Sequence, residues 1–165
     1  GELESEDKNA KLPKNLEYVG GNLKLKSLKE IPAEGLVLPK TVGGYLDLRS
    51  LESAKGLVLP KTVGGDLYLR SLESAEGLVL PETIGGYLDL SLLKSAKGLV
   101  FPKKIRGHLN LRSLESANGL EKLNYAGIMG SIWLPDKLPD KDKKEVEKIK
   151  VEQEKKGINV NFKYL

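Results

Sequence analysis

Three aspartates at related positions, Asp47, Asp66 and Asp89, and a single histidine, His108, are the residues whose chemistry could go beyond packing. Carboxylates brought close together would hold a cation, and a pair flanking a glycosidic bond could divide the acid and nucleophile roles. Their setting argues against both. They lie at outward positions of short strands, on an open face with no pocket to raise one pKa above the other. His108 has no partners at the spacing of a hydrolytic triad or a zinc site. Paired glycines such as Gly43-Gly44 suggest a phosphate loop only in composition, since neither GxGxxG nor the P-loop pattern occurs. The calcium nonapeptide is also absent, because Gly43-Gly44-Tyr45-Leu46-Asp47 lacks its third glycine. No catalytic residue, cofactor site or metal site is therefore expected.

The chemistry that remains is recognition. Tyr45, Tyr68, Tyr87 and Trp133, with Arg49, Arg70 and Arg112, are of the types enriched in binding hot spots. Together with His108 they fall into three outward columns. The first holds Asn22, Tyr45, Asp66, Tyr87, His108 and Ser131. The second holds Lys24, Asp47, Tyr68, Asp89, Asn110 and Trp133, and the third Lys26, Arg49, Arg70, Ser91 and Arg112. Set on a rigid sheet, such residues lose little freedom on association. Adjacent arginines in one column repel, which favours an anionic partner group between them. Arg70→Glu or Trp133→Ala is expected to remove binding at an unchanged melting temperature. The competing expectation is a merely solvated face, in which alternating tyrosine and aspartate keep like charges apart.

These columns exist only if the chain stacks on itself, and its period says that it does. Val42–Pro60 recurs at Val63–Pro81 and Ile84–Pro102, with Pro39, Pro60, Pro81 and Pro102 marking 21-residue steps. A period of this length predicts a solenoid. Leu46 and Leu48 alternate with polar neighbours, which predicts half-buried strands. Stacked copies then give two ladders: Leu23, Leu46, Leu67, Leu88, Leu109, Ile132, and Leu25, Leu48, Leu69, Leu90, Leu111, Leu134. Ala54, Ala75, Ala96 and Ala117 form a narrow rung, with Ile31 at its wider end. Gly-Leu-Val-Leu reads as a second extended stretch that proline ends. Each Gly-Gly is expected to make a tight, left-handed turn. Ser53, Ser74, Ser95 and Ser116 are expected to satisfy turn backbone groups.

The ends differ. Residues 1–11 are polar and are expected to fray or to edge a cap. The solenoid spans 12–135, with a two-residue insertion near Lys29–Pro32 in its first unit. Residues 136–165 form a cap: a helix over 140–156 with Asp140 as N-cap and Gly157 as stop, then a strand from Ile158. Strand, helix and parallel strand make a crossover that covers the last open edge.

Leu-Pro followed by a short Leu-x-Leu strand resembles the LPX-type leucine-rich repeats of bacterial secreted effector proteins, and the short LPxxxxVGGxLxL repeats of bacterial and phage proteins, across residues 12–135. The asparagine of a leucine-rich repeat is replaced by Leu51, Leu72, Leu93 and Leu114, and the leucine before the strand is shifted to Val42, Val63, Ile84 and Ile105. The fold class is thus a mainly β repeat solenoid, either a leucine-rich-repeat-like arc or a right-handed parallel β-solenoid, and the appended crossover favours the arc. The resemblance implies a strand face that binds a protein partner, not an activity, and a bacterial protein in a secreted or cell-surface setting. A spacer within a larger surface or phage protein, or a carbohydrate or polyanion bound along the Arg/Tyr ladder, are the alternatives.

The totals fit this frame. In 165 residues there is no cysteine, and the net charge of +4, from 27 basic and 23 acidic side chains, is too small to argue for nucleic acid or a membrane surface. No apolar run approaches a membrane span, and no stretch reads as a signal peptide.

Overall fold

Leucine at every second position of Tyr45-Leu46-Asp47-Leu48 makes one side of a short strand apolar. The 21-residue period then lays that side over its equivalent in the next unit. In the computed structural model, which describes residues 1–7, 11–13, 15–32 and 35–165, the result is a parallel β-solenoid. Residues 8–10 of the polar tail lie outside the described residues.

The strands are short and fall into two sheets. In chain order they are β1 (Leu3–Glu4), β2 (Tyr18–Val19), β3 (Leu23–Lys24), β4 (Thr41–Val42), β5 (Leu46–Asp47), β6 (Thr62–Val63) and β7 (Leu67–Tyr68). They continue with β8 (Thr83–Ile84), β9 (Leu88–Asp89), β10 (Lys104–Ile105), β11 (Leu109–Asn110), β12 (Ile132–Leu134) and β13 (Phe162–Tyr164). One sheet has eight strands in the order β1-β3-β5-β7-β9-β11-β12-β13, and the other five in the order β10-β8-β6-β4-β2. Pairing is parallel throughout, and the register is that of the repeat: Leu23 faces Leu46, then Leu67, Leu88, Leu109 and Ile132. Isolated bridges Val37–Val58 and Val79–Val100 mark a third side of the coil. Of the two architectures open to the sequence, the two-sheet parallel β-solenoid is the one adopted.

Both leucine ladders are fully buried, and Leu51, Leu72, Leu93 and Leu114 join them in the core. Removal from water contributes about 1.5–3 kcal/mol per leucine. The serine hydroxyls act as expected: Ser53, Ser74, Ser95 and Ser116 each accept the N–H two residues on, at 3.1–3.2 Å.

The paired glycines work differently from the expectation. Positive φ occurs at Gly35, Gly56, Gly77, Gly98, Gly119 and Gly157, not at the Gly-Gly pairs. The pairs are needed because backbone stacks on backbone: a Cβ at Gly107 would stand 2.6 Å from the carbonyl carbon of Gly86 and 2.8 Å from the nitrogen of Tyr87. The left-handed turn belongs instead to the glycine of the Ala-x-Gly-Leu segment, as at Gly77 with φ of 74°.

The cap begins after β12. Helix α1 runs Asp140–Lys155 and buries Asp142, Val146 and Ile149, one helical stripe. Pro139, not Asp140, precedes it as N-cap, and its side chain makes no capping bond. Asp142, two residues on, is the acid that matters. Its Oδ1 accepts the Ala117 N–H at 2.9 Å and the Ser116 hydroxyl at 3.2 Å, fastening the helix over the last Ser-Ala turn. At the far end the Ile158 N–H reaches the Gln153 carbonyl and the Gly157 N–H reaches that of Glu154. With Gly157 left-handed, this is a Schellman stop. β13 then pairs with β12 in parallel. At the other end Leu3–Glu4 is an edge strand rather than a loose tail. Among the described residues no helix is long and apolar enough to cross a membrane.

Candidate functional site: the outer face of the eight-stranded sheet

Leu46-Asp47-Leu48 and its copies turn leucine inward, so the intervening residues must point out, and the parallel register stacks them in the three columns. The aromatic residues meet across strands. Tyr45 and Tyr68 lie edge-on with centroids 6.1 Å apart, Tyr68 and Tyr87 at 6.3 Å, and Tyr87 and Trp133 at 5.5 Å. His108 stacks on Trp133 at 5.1 Å with 23° between planes. Four rings and an imidazole thus form one unbroken ladder, about 0.5–1.5 kcal/mol per well-placed pair beyond burial. The tyrosines and Trp133 are half-buried and His108 is exposed. The Nε1 of Trp133 is buried and makes no hydrogen bond among the described residues.

The polar residues divide into two groups. Asn22 and Asp66 accept, through side-chain oxygens, the backbone N–H of Tyr45 at 3.0 Å and of Tyr87 at 2.7 Å. His108 does the same for Ser131 through Nδ1 at 2.8 Å. These three hold every second rung; Asn22 and Asp66 thereby fix the backbone of Tyr45 and Tyr87, and His108 that of Ser131, two residues before Trp133. Because Nδ1 of His108 accepts, its ring proton sits on Nε2. Asp47 is only 3% exposed and is clasped by Arg49, whose Nη2 is 2.6 Å from Oδ2 and whose Nε is 2.9 Å from Oδ1. That bond holds the Arg49 guanidinium above its usual basicity. Arg49 also lies over the Tyr68 ring at 5.6 Å. Lys24 and Lys26 are paired with Glu4 of the edge strand and with Glu2 and Glu6 on either side of it. Arg70 and Arg112 are exposed and make no ion pair among the described residues.

All eight residues singled out from the sequence, Tyr45, Arg49, Tyr68, Arg70, Tyr87, His108, Arg112 and Trp133, therefore share one face. Their roles differ: Arg49 is engaged by Asp47, and His108 is half structural. Trp133 packs between Tyr87 and His108, so truncating it would also cost packing, and an unchanged melting temperature is no longer the expectation for Trp133→Ala. The sequence reading missed the buried roles of Asp47 and Asn110 and the acceptor role of Asn22. It also missed a row on another side, where Val37, Val58, Val79 and Val100 are 63–73% exposed. Their recurrence every 21 residues was the signal available.

Tyr68 shows how the face is wired. Burial, and secondly donation of its hydroxyl to Asp66 Oδ2 at 2.8 Å, push its phenol up from 10.0 to about 12. The folded state therefore favours the neutral phenol. Its contribution to stability is intact below pH 10 and is lost as the pH rises through about 12. Tyr68→Phe is expected to delete one tyrosinate from the late part of an alkaline absorbance titration; a titration unchanged there would contradict the raised phenol.

Among the described residues no three His, Asp or Glu side chains come together as a ligand set for a metal ion. No protein-family model, no curated protein and no solved structure matches the chain.

Proposed function

We propose that the protein is a non-catalytic recognition module that binds a protein partner through the outer face of its eight-stranded sheet. The observation that carries this reading is the ladder Tyr45–Tyr68–Tyr87–Trp133, continuous over five strands, with Tyr45 and Tyr87 bonded through their backbones to Asn22 and Asp66 and Trp133 stacked on His108. Rings fixed in this way are already ordered, so association sacrifices little side-chain freedom. The similarity to LPX-type and LPxxxxVGGxLxL repeats supports a bacterial protein acting outside the cell. A polyanion running along the face has weaker support, because Lys24, Lys26 and Arg49 already have acidic partners.

The test is selection from a random linear peptide library on immobilised wild-type protein. Each selected peptide is then titrated against Tyr45→Ala, Trp133→Ala and, as a remote control, Lys55→Gln, all checked for folding at the assay temperature. Loss of affinity by about thirtyfold or more in the aromatic variants, the scale of a hot spot, with no change for Lys55→Gln, is the expected result. Peptides that bind all four proteins equally would end the proposal.

A further inference from the structure

One unit departs from the repeat at three neighbouring positions. Where its neighbours read Leu-Arg-Ser-Leu-Glu, the third copy reads Leu90-Ser91-Leu92-Leu93-Lys94. Ser91 therefore takes the outward slot that Arg49, Arg70 and Arg112 fill in the other copies. It is only 1% exposed, and its hydroxyl has no hydrogen-bond partner among the described residues, although its N–H donates to Asp89 Oδ1 at 3.0 Å. An unpaired buried hydroxyl is costly, and a ligand that engages it removes that cost.

The slots on either side hold Arg70 and Arg112. Of the five cations in the columns from β3 to β11, these two alone lack an acidic partner among the described residues. Two strand spacings separate their backbones, about 10 Å, so the two arginines flank the Ser91 slot from either side. Both lie within electrostatic reach of the Tyr87 hydroxyl between them. Asp89, the carboxylate of the central strand, is engaged through Oδ1 by Ser91 and Asn110 and forms no ion pair with either arginine. The next residue, Leu92, is 44% exposed and opens a shallow groove of mixed charge, with Arg112, Pro135 and Lys137 and with Glu73 and Glu115 also in its walls.

We propose that Arg70, Ser91 and Arg112 form a notch for one carboxylate of an acidic protein segment, with Leu92 as the adjoining apolar contact. This rests on the reading of the sheet face as a protein-recognition surface and names the partner's chemistry. Forked guanidiniums match a planar oxyanion in two-point geometry. A phosphate polymer would need free cations along the whole face, whereas Lys24, Lys26 and Arg49 are already engaged by carboxylates and the two arginines flanking Ser91 stand beside an apolar side chain.

The test follows the arginine Nε–Hε resonances of the full chain during titration with a hexaglutamate peptide, its hexaglutamine counterpart and inorganic phosphate at matched ionic strength. Hexaglutamate is expected to shift Arg70 and Arg112 selectively, and hexaglutamine to shift neither. Arg70→Gln and Arg112→Gln should each weaken hexaglutamate binding about tenfold, one charge-assisted hydrogen bond's worth, and Ser91→Ala should weaken it without altering the fold. No shift at either arginine would overturn the proposal. So would equal shifts of all arginines, or saturation by phosphate at lower concentration than by hexaglutamate. Library-selected peptides that depend on Trp133, lack acidic residues and ignore Arg112→Gln would overturn the notch while the recognition face stands.

Discussion

Leu88→Ala lowers the stability of the fold by about 2–5 kcal/mol, read as a shift of the urea midpoint at constant slope. The size follows from where the side chain sits. Leu88 is fully buried on β9, between Leu67 and Leu109 in a hydrogen-bonded parallel register. Those bonds hold the flanking strands at a fixed spacing, so the rungs cannot close on the space that the missing carbons leave. Against a typical total of about 5–15 kcal/mol the loss is a large fraction. Leu3→Ala, in the same ladder but only partly buried on the edge strand, should cost distinctly less. A Leu88→Ala midpoint close to wild type would mean that the units do not form one core.

Gly107→Ala is the second large effect, at about 1–3 kcal/mol, and it arises from crowding rather than from backbone conformation. The added methyl would meet the Gly86 carbonyl and the Tyr87 nitrogen, all backbone atoms held in ladders on both sides. The neighbouring slot provides an internal control. Arg106 replaces the first glycine of the pair there, is exposed, and still donates to the Ile84 carbonyl at 3.0 Å. Arg106→Ala should accordingly be nearly neutral in the same melting experiment. Equal effects of the two substitutions would contradict the stacking geometry assigned to the glycine pairs.

These substitutions also mark what could be read from the residues alone. A strict period carries position as well as pattern, so the two leucine ladders, their register up to Ile132 and Leu134, and the helical lid were legible from spacing. The second sheet was not, because two-residue strands such as Thr41–Val42 are too short to show an alternation. Nor was the reason for Gly-Gly: a left-handed turn and a backbone close approach call for the same residue. On the binding face the columns were legible and the pairings within them were not. Nothing in the order of residues says that Asp47 is buried while Asp89 is half-buried, that Arg49 is clasped by a carboxylate while Arg70 has no ion pair among the described residues, or that His108 accepts a backbone N–H. Those outcomes depend on side-chain rotamers and on what stands one strand away. Asp142 illustrates the same limit: its place two residues into a charged helix gave no hint that it anchors the cap.

The measurement that bears most directly on the central claim is the footprint of a library-selected peptide on the resonance-assigned protein. Shifts gathered on Tyr45, Tyr68, Arg70, Tyr87, Arg112 and Trp133 are the expected result. Shifts gathered on Val37, Val58, Val79 and Val100, or on the outer surface of α1, would show that the protein binds through a different side and contradict the account.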